Sequence, residues 1–141
     1  MSTYVQRIVT LKKDVIALSA GKKKKRWKKN QKIMIDFIHA VTKKAEFSIN
    51  GQQVTLLIGD ENKGFRHIIE KHYCSGCPGE ITTMDILNIA DIVERGIKLA
   101  NEGVTNGNLI VYKKMKGIRH HKLVLKPIKN GNLVVTMYSI G

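Results

Sequence analysis

Helical spacing of apolar residues recurs four times before residue 104. It is clearest at the N-terminus, where apolar side chains return every three to four positions over Tyr4–Leu18 and Gly21 follows as a typical helix stop. The longest pattern carries an apolar stripe from Ile86 to Ala100. The other predicted helices are Asn30–Lys44, Gly64–Tyr73 and this long one, which Thr82 or Thr83 caps and Gly103 ends.

Strand-like runs occupy two short segments near residue 50 and nearly everything after residue 108. They are Phe47–Ile49, Val54–Ile58, Leu109–Met115, Ile118–Pro127 and Asn132–Ile140. Asn50-Gly51 between the first two is typical of a hairpin turn, and Lys116-Gly117 and Asn130-Gly131 are short turns between the last three. The last three strands therefore predict an antiparallel meander.

Helices followed by a meander predict an α+β fold, in which N-terminal helices pack on a C-terminal antiparallel β-meander of about four strands. The chain has 141 residues, a size typical of one domain, and no repeat or long linker divides it. We therefore expect a single domain. Within it, residues 1–50 form a basic helical N-terminal extension and residues 51–141 form the core.

Alternation along the final strand separates two sets of side chains. The set predicted to face the core is Leu133, Val135 and Met137. Thr136 and Tyr138 then point to the opposite face, where a groove could lie. The preceding strand divides into two pairs, Arg119 with His121 and His120 with Lys122. Which pair faces the groove depends on the strand register, and this pattern leaves both assignments open.

Charged residues are unevenly distributed. Lys and Arg number 25 against 11 Asp and Glu, which gives a net charge of +14. Residues 1–50 are net +10, residues 51–103 net −3 and residues 104–141 net +7, with Glu102 the last acidic side chain. The excess favours a polyanionic partner, nucleic acid or an anionic membrane surface. The lack of carboxylates in the last third counts against a two-metal nuclease, and no apolar run approaches the ~18 residues that a membrane span needs.

The densest basic stretch surrounds Trp27. Its cationic residues are Lys22, Lys23, Lys24, Lys25, Arg26, Lys28 and Lys29. They fit a flexible solvated segment between two helices and equally an arm that contacts phosphates, since counterion release needs no fixed structure. Trp27 could stack on a base or seat the following helix on the core.

Histidine and lysine share one side of the helix predicted at 64–73. His67 and Lys71 stand four residues apart, so they lie on the same face, while Phe65, Ile68 and His72 lean to the other side. A His and a Lys on one exposed face can divide proton transfer and phosphate binding between them. The alternative interpretation is an ordinary polar helix face.

Cys74 and Cys77 form a C-x-x-C pair directly after this helix. With His67 and His72 they supply the ligand types of a structural zinc site, although residues five apart on a helix are turned by ~140° from each other. A redox pair is a second alternative, without the usual strand-before, helix-after placement. We expect two reduced thiols in a loop. Two cysteines are too few for a disulfide-stapled scaffold, and no glycine-rich nucleotide-binding motif is present.

Several of these segments together resemble a nuclease superfamily. They are Gly64–His72, the amphipathic helix at 83–102, the meander and the closing Val134-Val135-Thr136-Met137-Tyr138. Over residues 54–140 the chain resembles the phage and polymorphic-toxin nucleases of the barnase/EndoU/colicin/RelE superfamily. The resemblance implies helices on one face of a four-stranded antiparallel sheet and RNA across the other. It also implies a ribonuclease that needs no metal or other cofactor.

The resemblance implies site residues as well. Its catalytic positions correspond to His67, His72, Thr136 and Tyr138. Its nucleic-acid-binding groups would be Arg66, Lys71, Arg119, His120, His121 and Lys122. The basic residues around Trp27 lie outside the resemblance and are predicted to bind nucleic acid from their charge alone. Attack of a ribose 2′-OH on the adjacent phosphate needs a base, an acid and a cation for the developing charge, which histidine, lysine and arginine supply. The expected product is a 2′,3′-cyclic phosphate.

The expected partner is RNA, tRNA or another structured RNA, with an acidic immunity or antitoxin protein if the chain is a toxin of phage or mobile-element origin. No membrane partner is expected. The expected site of action is the cytoplasm, reached from within or by secretion or injection. Two other functions stay open: a non-catalytic basic nucleic-acid-binding protein, and a zinc-stabilised interaction domain built on Cys74, Cys77, His67 and His72.

Overall fold

The computed structural model describes residues 3–20, 27–99 and 109–140. Within these ranges the chain forms five helices and six strands. The helices are α1 (Thr3–Ser19), α2 (Lys29–Ile38), α3 (Phe65–His72), α4 (Thr83–Leu87) and α5 (Ile89–Arg95). The strands are β1 (Ala45–Ile49), β2 (Gln52–Leu56), β3 (Ile97–Leu99), β4 (Ile110–Lys116), β5 (Arg119–Ile128) and β6 (Gly131–Ile140).

The prediction of an α+β fold is confirmed, but the four-stranded antiparallel meander is too small. The sheet has six strands in the order β1-β2-β6-β5-β4-β3. It is mixed, because β2 runs parallel to β6 through Val54 and Thr55, whereas the other neighbours are antiparallel. The β1–β2 hairpin and β3 thus extend the predicted meander on its two sides.

Two predicted helices end earlier than expected. α2 stops at Ile38 instead of Lys44, because Ala40 adopts a left-handed backbone conformation (φ 60°) that no right-handed helix continues. The long helix is divided at Asn88 and ends at Arg95, so its prediction over residues 97–99 is wrong. Gly96 lies so close to the β4 backbone that a Cβ would meet the Lys113 carbonyl oxygen at 2.8 Å. The chain leaves the helix there and pairs with β4 as β3.

A β-bulge overturns the predicted core face of the final strand. Val124 pairs with Thr136 and Leu125 with Val134, so Val135 is an extra residue in β6. The bulge shifts the alternation: Val134 and Met137 are both buried, whereas Leu133 and Val135 are only partly buried. Met137 is the one predicted core residue of the three that keeps its role. Thr136 and Tyr138 lie on the opposite side from Met137, as predicted.

The two faces of the sheet carry different contacts. On what we call the helix face, Leu123, Leu125 and Met137 are fully buried in one core cluster with residues of all five helices. We call the other the outer face. Its β4–β6 residues are Val111, Lys113, Met115, His120, Lys122, Val124, Lys126, Leu133, Thr136, Tyr138 and Ile140. In the described ranges, no helix is long and apolar enough to cross a membrane.

Candidate active site

Helix α3 is held along the edge of β6 by hydrogen bonds from its N-cap and from the loop that follows it. The Gly64 amide donates to the Val135 carbonyl at 2.8 Å, and the Ser139 amide donates to the Gly79 carbonyl at 3.1 Å. Three apolar side chains of α3, Phe65, Ile68 and Ile69, are buried in the core. The opposite side of the helix is therefore left to its polar residues, beside the outer face of the sheet.

His67, His72 and Tyr138 come together at this edge. The ring centroids of His67 and His72 are 5.9 Å apart at nearly perpendicular planes, and those of His72 and Tyr138 are 5.7 Å apart. His72 thus lies between the other two rings. Three of the four predicted catalytic residues form one cluster, although the two histidines were predicted to lean to different sides of the helix.

The hydrogen bonds of the two histidines determine which ring nitrogen faces the site. His67 Nδ1 lies 2.9 Å from the Glu61 carbonyl oxygen, and His72 Nδ1 lies 2.7 Å from the Pro78 carbonyl oxygen. A carbonyl oxygen can only accept, so each Nδ1 carries the hydrogen. In the neutral ring Nε2 is then unprotonated and can accept a proton. In the charged ring Nε2 carries the proton that can be donated.

Burial of the His72 imidazole lowers its pKa below the ordinary value of 6.5. The hydrogen bond to the Pro78 carbonyl opposes this effect, while the positive charges of His67 and Lys71 add to it. The neutral form of His72 is therefore favoured near neutral pH. A neutral imidazole with Nε2 unprotonated is equipped to act as a general base.

The loop that follows α3 holds His72 from the other side. Gly79 has a left-handed backbone (φ +65°), and a Cβ there would meet Tyr138 Cβ at 2.8 Å and His72 Nδ1 at 3.0 Å. Only glycine allows this close approach of the loop to both rings. Gly79 and the carbonyls of Glu61 and Pro78 belong to the site, and sequence reasoning missed all three; the Pro78-Gly79 turn after the C-x-x-C was the available signal.

Cys74 and Cys77 are joined by a disulfide in this loop, so the expectation of two reduced thiols was wrong. Gly76 between them adopts φ +83°, and the turn brings the two Cα atoms to 5.4 Å, within the range that a disulfide bridges. Sulfurs bonded to each other are not thiolate ligands. In the described ranges, no three His, Cys, Asp or Glu residues are grouped so as to hold a metal ion.

The strand register brings further predicted residues to the outer face. Lys122 is the direct partner of Tyr138, and His120 is the partner of Ile140. Thr136 lies on the same face, and its Oγ1 is buried without any hydrogen-bond partner in the described part of the chain. The open choice between the two pairs of β5 is thereby resolved in favour of His120 and Lys122.

Arg119 and His121 lie on the helix face instead. His121 Nε2 is 3.3 Å from the buried Asp85 carboxylate of α4, and Arg119 donates to the Ser139 hydroxyl at 2.7 Å. Neither residue joins the cluster around His72. Their contact with nucleic acid stays a prediction, and it would take place on the helix face and not beside the cluster.

The other predicted cationic groups are dispersed. Arg66 is paired with Glu70 on α3 at 2.6 Å and lies over the Tyr4 ring, whereas Lys71 is exposed next to His72. Lys22–Arg26 lie outside the described residues. Lys28 and Lys29 line a cavity of about 330 Å³ beside α5, away from the cluster. Trp27 packs against the core and donates to the Ser19 hydroxyl at 3.2 Å, as its helix-seating alternative predicts.

Comparison with known proteins adds no family to this picture. No protein-family model matches the chain, and no curated protein matches it.

Proposed function

We propose that the protein is a metal-independent endoribonuclease that cleaves RNA to a 2′,3′-cyclic phosphate. The observation that carries the proposal is the cluster of His67, His72 and Tyr138 beside Lys122 on the outer face. Two imidazoles with their Nε2 atoms available and a neighbouring ammonium group are the functional groups that this reaction needs. The net charge of +14 suits a polyanionic substrate.

In the proposed mechanism His72 is the base. Its Nε2 accepts the proton of the ribose 2′-OH, and the 2′ oxygen attacks the adjacent phosphorus. Lys122 and the Tyr138 hydroxyl stabilise the charge on the non-bridging oxygens as it develops. The bond from phosphorus to the 5′ oxygen then breaks, and His67 Nε2 gives its proton to the leaving oxygen. The lowered pKa of His72 supports its assignment as the base of the pair.

Incubation of the purified protein with total RNA in EDTA tests the proposal. We expect cleavage fragments that end in a cyclic phosphate, and loss of cleavage in His67→Ala and in His72→Ala. His39→Ala is the matched control, because His39 lies at the end of α2 and outside the cluster. Intact RNA at micromolar protein, or equal cleavage by both variants and wild type, would contradict the proposal.

The net charge also supports the second candidate, a non-catalytic nucleic-acid-binding protein. That function predicts binding that weakens steeply with salt and yields no cleavage product. We further propose a toxin-like role in the cytoplasm, with an acidic immunity protein that covers the outer face. Arrest of growth on expression of the wild-type chain, relieved in His72→Ala, is the expected result.

A further inference from the structure

A row of three side chains crosses the outer face from β6 to β4. Lys122 is the direct partner of Tyr138 in the β5–β6 ladder, and Lys113 is the direct partner of Lys122 in the β4–β5 ladder. Partners in antiparallel ladders lie on the same face, so all three side chains project together. The row starts at the ring that contacts His72 and leads away from the site.

Within the described residues, Lys113 is the member of this row that lacks an anionic neighbour. The residue directly opposite it in the β4–β5 ladder is another cation, Lys122. No carboxylate side chain follows Glu102, so β4, β5 and β6 contain none. Lys113 has no ion-pair partner within the described part of the chain, whereas its neighbour Lys114 projects to the helix face and pairs with Asp91 at 3.2 Å. A bound polyanion would give Lys113 the ion-pair partner that it lacks among the described residues.

The spacing of the row separates the two lysines by function. Neighbouring strands lie 4.7–4.9 Å apart. The β5 backbone at Lys122 is therefore one strand spacing from the β6 backbone at Tyr138, and the β4 backbone at Lys113 is two spacings, roughly 9.5 Å, from it. Lys122 is therefore the nearer of the two lysines to the proposed cleavage site beside Tyr138 and His72. Lys113 is placed for the next charged group along the same substrate.

We propose that Lys113 forms a second phosphate subsite, which binds the phosphate adjacent to the one that is cleaved. The inference rests on the proposed ribonuclease function and makes it more specific. The RNA strand crosses β6, β5 and β4 in that order as it leaves the His67–His72–Tyr138 cluster. The preferred substrate then carries at least two phosphates, the scissile one and one neighbour.

Short substrates that differ by one terminal phosphate test the subsite. The sixteen dinucleoside monophosphates NpN carry only the scissile phosphate, while pNpN and NpNp each add one neighbour on a defined side. For the wild type we expect one of the two additions to lower KM by roughly tenfold, the size of one charge-assisted hydrogen bond. In Lys113→Gln this gain disappears, while turnover of NpN is unchanged. Lys114→Gln, the control on the helix face, retains the gain.

Binding provides a second readout that does not require cleavage. With a single-stranded oligonucleotide that carries a 2′-deoxy sugar at every position, the slope of log K against log salt should decrease by about 0.7 in Lys113→Gln. The slope should stay at the wild-type value in Lys114→Gln, because Lys114 lies on the helix face and pairs with Asp91. Lys113→Gln should melt at about the same temperature as wild type, because Lys113 makes no ion pair in the described part of the chain.

The outcomes separate the two levels of the proposal. If NpN and the two extended substrates are cleaved with the same KM, or if Lys113→Gln keeps the gain and the wild-type salt slope, the subsite is refuted and the ribonuclease stands. If no RNA is cleaved by the wild type, the ribonuclease is refuted. If the salt slope of Lys113→Gln is nevertheless smaller than that of wild type, Lys113 is a phosphate-binding residue of a non-catalytic protein.

Discussion

The two faces of the sheet use the same residue types in opposite ways. On the helix face, His121 contacts Asp85 and Lys114 contacts Asp91, so these two basic groups each have a carboxylate within 3.3 Å. On the outer face, the histidines of the cluster bind backbone carbonyls, and β4, β5 and β6 carry no carboxylate side chain. Glu46 of β1 also lies on this face, where it pairs with Lys44. Lys114 and His121 thus have carboxylate partners on the helix face, whereas Lys113 on the outer face has none in the described ranges.

The difference indicates which face serves folding and which serves a ligand. A basic group paired with a buried carboxylate contributes to stability, since its removal leaves an uncompensated acid. A basic group with no carboxylate nearby contributes little to folding and can bind an anion when one arrives. Substitutions on the helix face should therefore change stability, and substitutions on the outer face should change activity.

Replacing one histidine on each face gives the largest expected contrast. His72→Ala should reduce kcat by at least about a hundredfold through loss of the base, with a small change in melting temperature. His121→Ala should leave kcat within a few fold and lower the free energy of unfolding by about 2 kcal/mol, because the buried Asp85 carboxylate loses a partner. Cleavage rates and thermal melts of both variants decide the matter. A catalytic defect in His121→Ala at a temperature where it is folded would remove the distinction.

A pair of glycines in the loop after α3 tests whether His72 must be positioned. Gly79→Ala places a Cβ 2.8 Å from Tyr138 Cβ and 3.0 Å from His72 Nδ1, so the imidazole must move. We expect kcat to decrease by about tenfold or more, since small misplacements of a catalytic group are costly. Gly76→Ala is the matched control: its backbone has a similar positive φ, but a Cβ would meet nothing within 4 Å.

Both alanine variants should lose a similar ~1 kcal/mol from the left-handed backbone, because alanine adopts that conformation less readily than glycine. Equal kcat values in the two variants would show that the loop does not position His72. Measurement of kcat at saturating RNA, next to thermal melts, distinguishes the backbone effect from the steric one.

The outer face was predictable from the sequence only where the pattern is local. Alternation correctly placed Thr136 and Tyr138 on the side opposite Met137, because three adjacent residues of a strand determine their own directions. It failed for Leu133 and Val135, because the bulge depends on how β5 pairs with β6 and not on β6 alone. The cluster depends on contacts still further apart in sequence, such as that between His72 and Tyr138, which are separated by 66 positions.

The helical prediction over residues 97–99 failed for a similar reason. An apolar stripe is compatible with a helix, but the tight contact between Gly96 and the Lys113 carbonyl commits the chain to strand pairing. Propensity is a weak prior that tertiary contacts override. The same rearrangement creates the β3–β4 pair beside Lys113, so the subsite had no signal in the local pattern.

Acidification should lower both the stability and the activity of the protein, because it protonates His72. Because the folded-state pKa lies below 6.5, folding favours the neutral ring, and this contribution to stability is complete above pH 6.5 and is lost as the pH falls through the folded-state pKa. The acid limb of kcat/KM should have its midpoint below 6.5, since the free enzyme needs the neutral base. In His72→Gln, acidification below pH 6.5 should lower the melting temperature less than in wild type. An acid limb centred above 6.5 would assign the base elsewhere.

The smallest expected effect concerns Thr136, which sharpens the comparison between the faces. Its Oγ1 is buried and has no hydrogen-bond partner in the described ranges. An unsatisfied buried hydroxyl lowers the free energy of unfolding. Thr136→Val keeps the shape and removes the unsatisfied hydroxyl, so it should raise the free energy of unfolding by about 1 kcal/mol, measured by urea denaturation. If the hydroxyl serves the substrate, the same variant should lower kcat/KM by severalfold. A variant that is more stable but less active would show that this hydroxyl serves the reaction. A variant that is more stable and equally active would instead show that this hydroxyl has no part in the reaction.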